Sequence, residues 1–161
     1  MDNQTQTTEN VFVLDTNTLI NFSIWHPMEY SEVFWSKLEK MLEDGKWILL
    51  DVVVNEVLYD KKLKSWLKKQ KNKKLVIDIN DDVRNRAVEI NSKYPMIDQD
   101  TGKSTVDTYL VAYAEINQVG IFTRESNRNT TDDLHKIPDV CKELSIKYIR
   151  YPRQFMKESN F

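Results

Sequence analysis

Four carboxylates in this sequence stand near the places where short apolar runs stop. Asp15 directly follows Val11-Phe12-Val13-Leu14, and Glu56 lies in the second turn of a helical pattern after Trp47-Ile48-Leu49-Leu50. Asp107 is in the first turn of a helical pattern that precedes the run from Gly120 to Thr123, and Glu125 lies two residues past that run. Carboxylates gathered together repel, and burial raises their pKa values. A hard divalent cation relieves both effects by taking oxygen ligands, and Mg²⁺ favours few carboxylates with several retained waters. Such an ion activates a water and stabilises charge developing on a phosphate. No Ser, Cys or His stands in a nucleophile pairing, so this set points to metal-assisted phosphodiester hydrolysis. Each acid also has a plainer reading. Asp15 can cap a helix beginning near Asn17, Asp107 can favour a helix N-terminus, and Glu56 can be an ordinary exposed helix residue.

The elements that must position these acids follow from periodicity. Residues 11–14 and Trp47–Leu50 are continuous apolar runs, as in strands buried on both faces. Leu75–Ile79, Gly120–Thr123 and Lys147–Arg150 read as three further strands. Helical spacing runs from Tyr30 to Asp44 and is stopped by Gly45, while Asp51 is placed to cap the helix after the second strand. A lysine-rich helix carries Leu63, Trp66 and Leu67 as its apolar stripe. Asn80-Asp81-Asp82 opens another helix that Tyr94-Pro95 closes, and helices are expected near Ser104–Asn117 and Ile137–Leu144. Strands alternating with helices imply a three-layer α/β/α fold on a central, mostly parallel five-stranded sheet. In such sheets sites form at the carboxyl ends of the strands, where the strand order reverses.

Length and composition agree with that architecture. The 161 residues suit a single domain over 11–161 behind a flexible N-terminal segment, residues 1–10. Hydrophobic residues at 40% and charged residues at 30% exclude a disordered chain. The lone Cys141 excludes an internal disulfide and reads as a core residue on a helix face. Met1–Asn10 lacks the features of a signal peptide, and no apolar run approaches the ~20 residues of a membrane span. A cytoplasmic protein is expected. Net charge is only −2, yet residues 61–74 contain eight lysines and no acid, so basic and acidic groups are segregated.

The acids sit in motifs that resemble those of PIN domains. Val13-Leu14-Asp15-Thr16-Asn17-Thr18-Leu19-Ile20 is similar to their opening motif, and Val52-Val53-Val54-Asn55-Glu56-Val57 to their second. Residues 106–114, from Val106-Asp107 to Ala114, resemble the third, and Ile121-Phe122-Thr123-Arg124-Glu125 the fourth. All four occur in order and span nearly the whole chain. Phe34-Trp35 and Ile137-Pro138-Asp139-Val140-Cys141 further resemble a bacterial PIN-like branch whose function is poorly defined. The resemblance implies a five-stranded parallel sheet, Mg²⁺ or Mn²⁺ bound by Asp15, Glu56, Asp107 and Glu125, and endonucleolytic cleavage of RNA. It also implies that Asn17 and Thr123 orient the carboxylates by hydrogen bonding. Many bacterial members are toxins of type II toxin–antitoxin pairs, silenced by a small antitoxin protein. The fourth motif departs from the pattern, with Glu125 and Asn127 where two Asp are frequent, so Asn127 offers a neutral oxygen.

The lysines Lys61, Lys62, Lys64, Lys68 and Lys69 could track RNA phosphates or form a solvated face, and Trp66 could stack on a base or anchor the core. Other readings stay open. The chain can be a catalytically weak PIN-like module that binds RNA or protein, and it can form a homodimer. A phosphatase of the haloacid-dehalogenase type would need a second Asp where Asn17 stands. Gly102-Lys103-Ser104 looks like the end of a phosphate loop, but Ile97 occupies the first glycine position.

Overall fold

The computed structural model describes residues 10–161; the expected flexible segment lies outside the described residues for 1–9. The first strand, β1 (Phe12–Leu14), is buried on both faces and feeds helix α1 (Thr16–Trp25). Helix α2 (Glu32–Glu43) ends at Gly45, whose φ of +70° supplies the left-handed turn into β2 (Trp47–Leu50). Two helices follow, α3 (Asp51–Glu56) and α4 (Lys61–Asn72), and then the short strand β3 (Val76–Ile77). Helices α5 (Asp81–Lys93) and α6 (Thr105–Asn117) pack against each other before β4 (Gly120–Phe122). The chain closes with α7 (Ile137–Leu144), β5 (Tyr148–Ile149) and α8 (Pro152–Glu158).

The five strands form one all-parallel sheet in the order β3-β2-β1-β4-β5, with helices on both faces. The chain therefore builds outward from β1 in one direction and then returns to add β4 and β5 on the other side. This puts the reversal of strand order at β1, between β2 and β4, and makes the carboxyl end of β1 the floor of a crevice. In register, Leu14 lies beside Phe122, so Asp15 and Thr123 leave the sheet together.

Several expected boundaries shift for physical reasons. The edge strands β3 and β5 are two residues each, because each has only one neighbour to pair with. Asp51 is the first residue of α3 rather than its cap, and Leu50 takes the capping position. Asp51 Oδ1 instead accepts the N–H groups of Val52 (2.8 Å) and Ile79 (3.2 Å), tying the start of α3 to the end of β3. Helix α8 was not anticipated from periodicity. Its Phe155 is fully buried and stacks on Phe122 (3.9 Å between centroids) and Trp47 (4.5 Å). Trp66 packs edge-on against Trp35 at 5.0 Å, which makes it a core anchor. Cys141 is fully buried, and burial pushes its thiol up to about 12.

At the amino end of the sheet, Gly120 faces Phe12. A Cβ on Gly120 would come within 2.7 Å of the Phe12 ring and 3.3 Å of the Lys147 carbonyl oxygen. The close approach of β4 to β1 therefore requires glycine at that position.

Candidate active site

Asp15 begins where the pleat of β1 ends, in extended conformation, and caps α1 by accepting the Thr16 N–H on Oδ1 at 2.7 Å. Its other oxygen accepts the Thr123 hydroxyl at 2.7 Å. The capping role and the site role thus belong to one carboxylate. It is 3% exposed, and both of its oxygens are held.

Each of the other three acids is also tethered. Glu56 is the last residue of α3, and its Oε2 accepts the Thr16 hydroxyl at 2.5 Å, linking the ends of β1 and α3. Glu125 follows β4, and its Oε2 accepts the Ile137 N–H at 3.1 Å, at the first residue of α7. Its own N–H donates to Thr123 Oγ1 at 3.1 Å, so one threonine hydroxyl serves both Asp15 and Glu125. Asp107 sits in the first turn of α6 beside Ser104, whose side chain hydrogen-bonds its carboxyl. Ser104 takes a left-handed φ of 73° at the cap, a conformation that costs a non-glycine residue roughly 1–2 kcal/mol.

Asp15 and Asp107 both feel the charges of Glu56 and Glu125, with burial the larger influence. Burial pushes the Asp15 carboxyl up to about 7; the Thr123 hydroxyl opposes this, and the charges of Glu125 and Glu56 add to it. Burial pushes Asp107 further, to about 9, and the charges of Asp15, Glu125 and Glu56 all contribute. Both shifts favour the protonated form of the two carboxyls.

The residues fit a hard divalent ion by donor type: carboxylate oxygens, a neutral amide oxygen and no soft ligand. Asn127 Oδ1 is buried and meets no hydrogen-bond donor among the described residues. Among the described residues no three His, Cys, Asp or Glu side chains stand together in a way that could hold a metal ion. The Thr16 hydroxyl holds Glu56, and the Ile137 N–H holds Glu125.

The remaining sequence candidates divide. Asn17 Oδ1 accepts the Arg124 N–H at 3.1 Å, so it fixes the residue before Glu125 and acts on that acid through the backbone. Lys61, Lys62, Lys64, Lys68 and Lys69 lie on the exposed side of α4, apart from the acids, and two of them meet carboxylates: Lys62 pairs with Glu29 and Lys69 with Glu39. Sequence reasoning missed Thr16 and Ser104, which hold two of the acids. Thr16 had a signal, because a hydroxyl follows Asp15 directly; Ser104 had none, because its role depends on an unusual backbone angle. No helix of the described residues is long and apolar enough to cross a membrane.

Comparison with known proteins places this arrangement in a family. A family model described as a domain of unknown function (DUF4411) matches residues 12–161. No curated protein matches the chain. Among solved structures, the chain is similar to a toxin–antitoxin complex from Klebsiella pneumoniae at 18% identity, covering 71% of this chain and 86% of that one with a TM-score of 0.45. It is also similar to FitAcB from Neisseria gonorrhoeae at 17% identity, covering 86% of this chain and 96% of that one with a TM-score of 0.48. The chain belongs to the DUF4411 family.

Proposed function

We propose that the chain is a metal-dependent endoribonuclease, with Asp15, Glu56, Asp107 and Glu125 gathered around Mg²⁺ or Mn²⁺, and that it acts as the toxin of a type II toxin–antitoxin pair. The observation that supports this most is geometric. The Thr16 hydroxyl holds Glu56 beside the anchored Asp15, and the Thr123 hydroxyl joins Asp15 to the Glu125 backbone, all at the strand-order reversal. The four ordered motifs that resemble PIN domains supply the substrate class, RNA, and the small antitoxin partner.

Bound there, a divalent ion supplies an activated water and neutralises charge building on the phosphate. The chain's own groups do the positioning. Thr16 and Thr123 lock Asp15, and Thr16 also holds one oxygen of Glu56, leaving the other to accept a proton from water. Glu125 is held in the same way by the Ile137 N–H. Asp107, in the first turn of α6, would supply the fourth carboxylate.

The test is RNA cleavage by purified protein with and without Mn²⁺. Asp15→Asn keeps a side-chain oxygen for the Thr16 N–H, so the variant should fold and lose cleavage; a variant that cleaves as fast as the parent overturns the assignment. Expression in a bacterial host should arrest growth only with Asp15 intact. One observation favours a second reading, a binding module with little cleavage: Asn127 stands where another acid would strengthen metal binding. Calorimetric titration separates the two, because absence of Mn²⁺ binding below the millimolar range favours the module.

A further inference from the structure

The lysines of α4 do not behave as one set. Lys62, Lys69 and Lys73 reach Glu29 and Glu39, whereas Lys61, Lys64, Lys68 and Lys71 meet no carboxylate among the described residues. The four unpaired lysines are spaced by three, four and three residues, which places them along one face of the helix. They extend over roughly 15 Å, nearly three turns. All four line a groove of about 580 Å³ between the end of α3 and α4. The groove's remaining lining includes Val54, Val57, Leu58 and Leu67, and Leu58 is 59% exposed.

This combination selects among polyanions. A single-stranded nucleic acid gains affinity from aromatic stacking, and none of the residues lining the groove is aromatic. An aliphatic floor with cations along one edge complements a helix that carries aliphatic residues on one side and carboxylates beside them. The lysine stems add apolar surface while their ammonium groups stay at the rim. We propose that this groove is the docking site for an acidic amphipathic helix of a partner protein, with Leu58 and Val57 beneath its aliphatic side and Lys61, Lys64, Lys68 and Lys71 facing its carboxylates. The inference does not depend on the nuclease reading, since none of the four carboxylates lines the groove.

The experiment uses the full chain and three fluorescent probes. The first is a synthetic helical peptide with leucines at i, i+3, i+4 and i+7 flanked by glutamates. The second has the same composition with the leucines dispersed around the helix, and the third is a single-stranded oligouridylate. The first peptide should bind, and it should weaken about tenfold or more in the Lys64→Glu/Lys68→Glu variant and also in Leu58→Asp. All of these positions are exposed, and circular dichroism should show an unchanged fold in both variants. The proposal is overturned if the dispersed peptide binds as tightly, because affinity then comes from charge alone. It is overturned equally if neither peptide binds, or if the oligouridylate displaces the first peptide and itself loses binding in the lysine variant, which makes the groove a nucleic-acid track. RNA cleavage plays no part in these readouts, so failure here leaves the nuclease reading standing, and the converse also holds.

Discussion

The acid cluster and the lysine face of α4 are both concentrations of like charge, and the fold treats them in opposite ways. The lysines come from one continuous stretch, project from an exposed helix and are separated by whole turns, so water and salt screen their repulsion. The acids come from residues as far apart as 15 and 125, and the sheet brings them to one crevice where Asp15 is almost fully buried. There burial first, and the neighbouring charges second, raise the Asp15 and Asp107 carboxyls. A surface array of charge can serve as a solvated face or a docking edge at little cost. A buried one is tolerable only where its members are protonated or matched by an opposite charge.

The contrast can be broken most severely at Asp107. Asp107→Asn should slow RNA cleavage by about 10³-fold or more, a barrier change of several kcal/mol, measured under single-turnover conditions with saturating Mn²⁺. Next comes metal affinity. Thr16→Val frees Glu56 from its tether and should weaken Mn²⁺ binding by about 10–100-fold in calorimetry while leaving helix content unchanged.

The pH dependence of stability is a third and smaller effect. Both buried Asp residues have folded pKa values above the ordinary 3.8, so between 3.8 and about 7 for Asp15, and up to about 9 for Asp107, the folded chain binds more protons than the unfolded one. Stability in that window therefore falls as pH rises. In chelator, the melting temperature contributed by these groups should climb as pH drops from 9 towards 5, and saturating Mn²⁺ should flatten the slope. In chelator at pH 8, Asp107→Asn should melt higher than the parent, on the order of 5 °C. The smallest change is expected at the lysines. Lys64→Gln with Lys68→Gln should shift unfolding free energy by no more than about 0.5 kcal/mol in urea titration, because these side chains are exposed and unpaired.

Sequence alone revealed the parts of this molecule that repeat with a period. The inner strands Phe12–Leu14 and Trp47–Leu50 are unbroken apolar runs, and the alternation with helices implied the parallel sheet that the structure has. The four acids could be named because each follows or opens such an element. The tethers were harder to see. Ser104 depends on a left-handed backbone angle, and the Glu125–Ile137 bond joins a loop residue to a helix start that no spacing rule connects. Helix α8 escaped because Pro152–Glu158 contains only one fully buried side chain, Phe155, too few to set a helical period. The division of the lysines into paired and unpaired sets rests on Glu29 and Glu39, which lie at least thirty residues earlier in the chain than their partners.

Gly120 has a consequence that reaches beyond its own strand. It sits at the opposite end of β4 from Thr123, and the space above it is filled by the Phe12 ring. Gly120→Ala would push that ring aside and shift β4 against β1, and the strain would travel three residues along both strands to the Thr123–Asp15 hydrogen bond. Such a chain should assemble in the cold and come apart on warming. It offers a temperature-sensitive allele through a position outside the candidate site.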